Sequence, residues 1–215
     1  MSVPARQYNQ NVFINCPFDA QYAPIFEAIV FAVADCGFRP VCARERMNSG
    51  QVRIDKIIEL IRDARYSIHD LSRIEPDQRY SLPRFNMPLE LGIALGCIRF
   101  GAGRQRKKTV LILDAKRYRY HKFVSDIAGQ DIYEHRNRPG RGVEAVRNWL
   151  RTESGLSDIP GSDYIIRRYR RFQQDLPRIA RLANLNPRRL TYVDYSWVVF
   201  EWLNAAKNAA IAAAG

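Results

Sequence analysis

A glycine-rich phosphate loop is missing from this chain. Neither G-x-G-x-x-G nor a Walker A match occurs, which disfavours ordinary NAD-dependent dehydrogenases and ATPases. Cysteine is sparse. Cys16, Cys36, Cys42 and Cys97 stand singly in apolar segments without a C-x-x-C, so they read as small buried hydrophobes, not as a disulfide framework or a zinc site. The three histidines, His69, His121 and His135, are too scattered to suggest a metal cluster. No apolar run has membrane length, since the tract over residues 197–211 is interrupted by Glu201, Asn204, Lys207 and Asn208. The first ten residues lack the apolar core and cleavage pattern of a secretory signal. Together these absences predict a cytoplasmic protein with no membrane partner.

What is present is an ordinary globular composition with a basic excess. The 215 residues are 47% hydrophobic and 26% charged, enough to bury a full core. The net charge of +12 is unevenly placed: +1 over residues 1–100, +6 over 101–160 and +5 over 161–215. The second half therefore favours an anionic partner, whether nucleotide phosphates, nucleic acid or an acidic surface.

Hydrophobic spacing places the elements. Residues 12–16 (V-F-I-N-C) read as a buried strand ending at Pro17. Ile25, Ala28, Ile29, Ala32 and Val33 repeat at helical spacing until Gly37. Residues 38–43 read as the next strand, 52–65 as an amphipathic helix on Ile54, Ile57, Ile58 and Ile61, and 66–71 as a third strand. A polar loop over 72–85 precedes another helix, 108–113 is a fourth strand, 132–134 a weak fifth, and 142–153 a helix. This alternation is the signature of a flavodoxin-like parallel sheet of four to five strands with helices on both faces. After Gly161 only helices are expected. Pro177 should break the first of them, Asn184 to Pro187 form a turn, and Asp194 cap the last. The division predicted is an α/β domain over 1–160 and a basic helical extension over 161–215, packed on the sheet or used for self-association.

Ligands of such sheets bind beyond the carboxyl ends of the strands. The residues there are Asn15, Pro17, Phe18 and Asp19 after the first strand, Arg44 after the second, and Asp70, Ser72 and Arg73 after the third. The stretch R-F-N-M-P-L-E-L-G-I-A-L-G, Arg84 to Gly96, opens on the same edge. Asn86 is expected to cap its helix. Leu89, Gly92, Ile93, Gly96 and Cys97 share one face, with Glu90 one step off it, close to the positive helix end. A carboxylate held anionic beside a loop can serve as nucleophile or base. A carboxylate there also merely stabilises a helix terminus.

With these pieces placed, residues 11–115 resemble the superfamily that joins nucleoside 2-deoxyribosyltransferases with Toll/interleukin-1-receptor-like (TIR) domains. The matching segments are V-F-I-N-C-P-F-D, the strand end at Asp70, and L-E-L-G-I-A-L around Glu90. In the transferase branch the catalytic glutamate lies in an E-L-G-x-A context opening a helix. Bacterial TIR-like proteins use an equivalent glutamate to cleave NAD at the nicotinamide–ribose bond, often in phage defence. The transferases place a D-x-G-T-like segment ahead of the glutamate, where this chain has Pro83-Arg84-Phe85-Asn86-Met87-Pro88. That departure puts a deoxynucleoside substrate in doubt.

The resemblance implies N-glycosidic cleavage of a nucleotide, NAD foremost as substrate and not as cofactor, with no metal. Breaking that bond generates an oxocarbenium-like sugar, which requires a nearby anion, groups on the ribose and a base pocket. Glu90 takes the anionic role. Asp70 and Asn15 are candidates for the ribose hydroxyls or the leaving base. Phe18, Phe85 and Met87 are candidates for the base wall, and Arg44, Arg73 and Arg84 for phosphates. A homo-oligomer is expected, with the aromatic C-terminal helix as a plausible interface. The alternative is a non-catalytic module that senses a nucleotide signal or a partner protein through the same rim. Nucleic-acid binding through the basic second half is a less favoured reading, and residues 179–199 only faintly suggest a helix-turn-helix.

Overall fold

The computed structural model describes residues 3–45, 47–73 and 85–214. A short helix, α1 (Ala5–Gln10), runs directly into β1 (Asn11–Asn15). Nothing in the hydrophobic pattern announces α1. It is pinned from elsewhere, through Tyr8, whose hydroxyl donates to the Arg104 carbonyl at 2.7 Å. Then follow α2 (Ala23–Asp35), β2 (Arg39–Val41), α3 (Arg53–Arg62), β3 (Tyr66–Asp70), α4 (Asn86–Phe100), β4 (Thr109–Asp114) and β5 (Ile132–Glu134). Three further helices complete the chain: α5 (Pro139–Ser154), α6 (Ser162–Leu182) and α7 (Tyr192–Ala214).

The five strands form one sheet in the order β2-β1-β3-β4-β5, every pair parallel. This is the flavodoxin-like order, and the chain reverses its direction of winding between β1 and β3. Side chains alternate across the strands. Val12, Ile14, Tyr66, Ile68, Leu111 and Leu113 bury themselves against α2 and α5, while Phe13 packs with α3 and Ile112 with α4. The register sets Asn15 beside His69.

Helices α6 and α7 cover α2 and α5 and share one core with them. The rings of Phe31 on α2 and Phe172 on α6 stack at 5.2 Å, and Trp202 of α7 packs on both. Arg168 pairs with Asp35 at 3.1 Å, and the Tyr195 hydroxyl donates to the Glu27 carbonyl at 3.0 Å. The start of α7 also reaches β2, where the Tyr192 hydroxyl donates to the Pro40 carbonyl at 2.6 Å. Among the described residues no helix is long and apolar enough to cross a membrane.

Two local expectations fail for identifiable reasons. Pro177 does not break α6, which runs through it. Proline inside a helix removes one backbone bond and costs about 3 kcal/mol, but Phe172, Leu176 and Ala180 flank it on a buried face. Burial holds the helix together across the defect. Pro177→Ala is therefore expected to stabilise the protein by about 1–3 kcal/mol, read as a raised urea midpoint; an unchanged midpoint would refute this. The second correction concerns α4. Its cap position is Phe85, Asn86 is its first residue, and no side chain among the described residues caps it. The side chains buried on α4 are Met87, Glu90, Leu91 and Ala94, whereas Leu89 is 56% exposed. This helix is apolar nearly all round, so spacing alone could not tell the inner face from the outer.

Candidate active site

The cleft lies beyond the carboxyl end of β1. It has a volume of about 360 Å³, within the range of small-ligand pockets. Among the described residues its walls are Ile14 and Asn15 at the end of β1, Cys16 to Asp19 after it, Ala43 and Arg44 after β2, Arg53 on α3, and Asn86, Met87 and Glu90 in the first turns of α4.

Asn15 is the residue that joins β1 to the start of α4. Its buried amide donates to the Met87 carbonyl at 3.0 Å and lies 2.9 Å from His69 Nδ1. With Nδ1 accepting, the imidazole proton sits on Nε2, which has no partner among the described residues. Burial lowers the His69 pKa to about 3, so the ring stays neutral and acts as a fixed acceptor. Asn15 thereby sets the first turn of α4. Its carbonyl oxygen is the part left for a ligand.

Glu90 is 6% exposed, and its carboxylate makes no hydrogen bond among the described residues. Burial pushes its pKa up to about 7, with the Arg53 guanidinium pulling the other way. A carboxylate at a helix start would ordinarily be held ionised; here burial works against the ionised form. The result is a group that changes charge near neutral pH, in a cleft, with unused lone pairs.

The other cleft residues divide by how firmly they are engaged. Asp19 closes the turn that precedes α2 by accepting from the Gln21 and Tyr22 amides at 3.1 Å each, and pairs with Arg73 at 3.2 Å. Arg44 donates to the Phe18 carbonyl at 2.8 Å and lies over the Phe18 ring at 4.5 Å. Cys16 lines the cleft, but burial raises its thiol well above the ordinary range, so it offers no thiolate nucleophile.

Several sequence candidates are not brought to this cleft. Asp70 and Ser72 are buried in a separate network behind it. The Asp70 carboxylate accepts from the Tyr22 hydroxyl at 2.7 Å, from the Ser72 amide at 2.8 Å and from the Ser72 hydroxyl, and lies 3.1 Å from His135 Nε2. Burial works to raise its pKa, but these hydrogen bonds, His135 foremost, hold it below the usual carboxylate range. Ser72 Oγ is 2.7 Å from the same His135 nitrogen, while His135 Nδ1 accepts from the Asn137 amide at 3.1 Å. Serine and aspartate thus meet one imidazole nitrogen, so this is not the relay of a serine hydrolase, in which they bind opposite nitrogens. Arg73 is held by Asp19 and Gln21, and Phe85 points outward, 56% exposed; neither lines the cleft. Arg84 lies outside the described residues.

Sequence reasoning missed Arg53, which lines the cleft, and Tyr22 and His135, which hold Asp70. The only available signal for Arg53 was its place at the start of α3 on the same rim. No local signal links His135 to Asp70, which meet only because β3, β4 and β5 lie side by side.

No protein-family model matches the chain. No curated protein matches it at a significant level either.

Proposed function

We propose that the chain cleaves an N-glycosidic bond in a nucleotide, with NAD the leading substrate and nicotinamide the base released. The observation that carries this reading is Glu90, a buried carboxylate without a hydrogen-bond partner among the described residues, in a cleft of nucleoside size. The likeness of its L-E-L-G-I-A-L segment and of V-F-I-N-C-P-F-D to the TIR and deoxyribosyltransferase superfamily supports the same chemistry.

In the reaction the bond between ribose C1′ and the base nitrogen breaks, and its electron pair leaves with the base. Positive charge develops at C1′, where the ionised Glu90 stabilises it or adds to it. Water then bonds to C1′ and gives up a proton to solvent; where Glu90 has added, its bond to C1′ breaks at this step and the electron pair returns to the carboxylate. The nature of the cleft favours a cationic base. Nicotinamide in NAD departs neutral and needs no proton, and the only other carboxylate lining the cleft among the described residues, Asp19, is occupied by the Gln21 and Tyr22 amides and by Arg73. A neutral purine would need an acid that this wall does not offer.

The test is base release, measured by chromatography over a range of protein concentrations with NAD and a panel of other nucleotides. Absence of any released base at every concentration would leave a nucleotide-sensing rim as the surviving reading. The pH profile provides a further check. Because Glu90 must be ionised to act, kcat is expected to be low at pH 5.5 and to rise through an apparent pKa of about 7 to a plateau. A profile falling over the same range would mean that Glu90 acts in its protonated form.

A further inference from the structure

The Glu90 cleft does not end at Arg44 and Arg53. These two arginines, with Ala43, also line a second hollow of about 510 Å³ on their other side. Its remaining walls are the 47–49 segment, Lys56 on α3, and Thr191 and Tyr192 at the start of α7. The two chambers differ in charge. Both are lined by Arg44 and Arg53; the first adds the carboxylates of Glu90 and Asp19, whereas the described residues lining the second include no carboxylate. Glu45, next along the chain, is paired with Arg39.

The C-terminal wall is preformed. Thr191 Oγ1 donates to Asp194 Oδ2 at 2.7 Å and Tyr192 is tied to Pro40, so both are held in place before any ligand arrives. Met47, 92% exposed, offers an apolar flank with the polar side chains of Asn48 and Ser49 beside it.

The geometry points to a ligand with two parts joined through phosphate. One part lies in the acidic chamber, where positive charge develops at its sugar. The linking diphosphate lies between Arg44 and Arg53, whose guanidinium groups suit phosphate oxygens. The second nucleoside occupies the basic chamber. The assignment rests on the glycosidase reading only for what happens at the first chamber. It gives the start of α7 a role in the site, as part of the outer wall that selects dinucleotides over mononucleotides.

Calorimetric titration of the Glu90→Gln variant, which keeps both chambers and consumes no ligand, tests the assignment. NAD is expected to bind at least about tenfold tighter than nicotinamide mononucleotide. On that background Met47→Glu, which adds an anion at the second chamber, is expected to abolish the advantage while changing mononucleotide binding less than about twofold. Equal binding of the two ligands overturns the assignment, as does an equal loss of both in Met47→Glu or no binding of either. The two readings fail separately. Base release by the wild type with equal binding removes only the second chamber, and a NAD preference without base release removes only the glycosidase.

Discussion

Replacing Glu90 by glutamine is expected to lower base release by about two to three orders of magnitude or more, and at the same time to make the protein more stable. The loss of rate follows from removing the anion that faces the developing oxocarbenium charge while keeping the shape of the side chain. The gain in stability follows from its pKa. The folded protein holds the Glu90 proton up to about pH 7, whereas an unfolded glutamate releases it near pH 4.5. Between those values the native state binds more protons than the unfolded state, so wild-type stability falls as pH rises across that window. Above it the penalty is complete, of order 1–3 kcal/mol after allowance for solvent screening. Glutamine carries no such penalty. Urea unfolding of both proteins at pH 4 and pH 8 should show little difference at the lower pH and a higher midpoint for Glu90→Gln at the upper. A variant with the wild-type midpoint at both pH values would show that this carboxylate is not strained, and one that still releases base at the wild-type rate would show that it is not catalytic.

Asp70→Ala should have the opposite balance, a loss of stability of about 3–5 kcal/mol with little direct effect on chemistry. Its carboxylate is fully buried and accepts from Tyr22 and Ser72, with His135 at 3.1 Å. Removing it leaves a phenol, a backbone amide, a hydroxyl and an imidazole without their acceptor in a dry site. Asp70→Asn, which keeps one acceptor oxygen, should cost less. The discriminating measurement is base release per folded molecule beside the urea midpoint. If Asp70→Asn unfolds at the wild-type midpoint but loses turnover at saturating NAD, Asp70 reaches the substrate and the network described above is not its role.

These two carboxylates show how unevenly a site can be read from a chain. Both stand at the carboxyl edge of the sheet, and topology alone predicts that both face a ligand. The difference lies in neighbours distant in sequence. Tyr22 and His135 close over Asp70, while the described residues around Glu90 leave its oxygens without partners. Asn15 shows a third outcome. Its place on the rim was legible, but its role as the tie between β1 and the first turn of α4 required His69 and Met87 to be in place.

The alternation of strands and helices, the carboxyl-edge location of the cleft and the candidacy of Glu90 were determined by the sequence alone. Each depends on spacing within a few residues, which is encoded locally by which side chains share a face. The inner face of α4 was beyond that information, because a helix apolar on both sides gives no local preference. The passage of α6 through Pro177 likewise needed the burial supplied by its neighbours. The tertiary structure alone decided which polar groups meet. Residues 54 positions apart, Asn15 and His69, or 63 apart, Ser72 and His135, come together through strand order and register, which no short window of sequence contains. The docking of α6 and α7 over α2 and α5 was decided in the same way. It brings Thr191 and Tyr192 to the chamber beside Arg44 and Arg53, more than a hundred residues from the segment that forms the cleft.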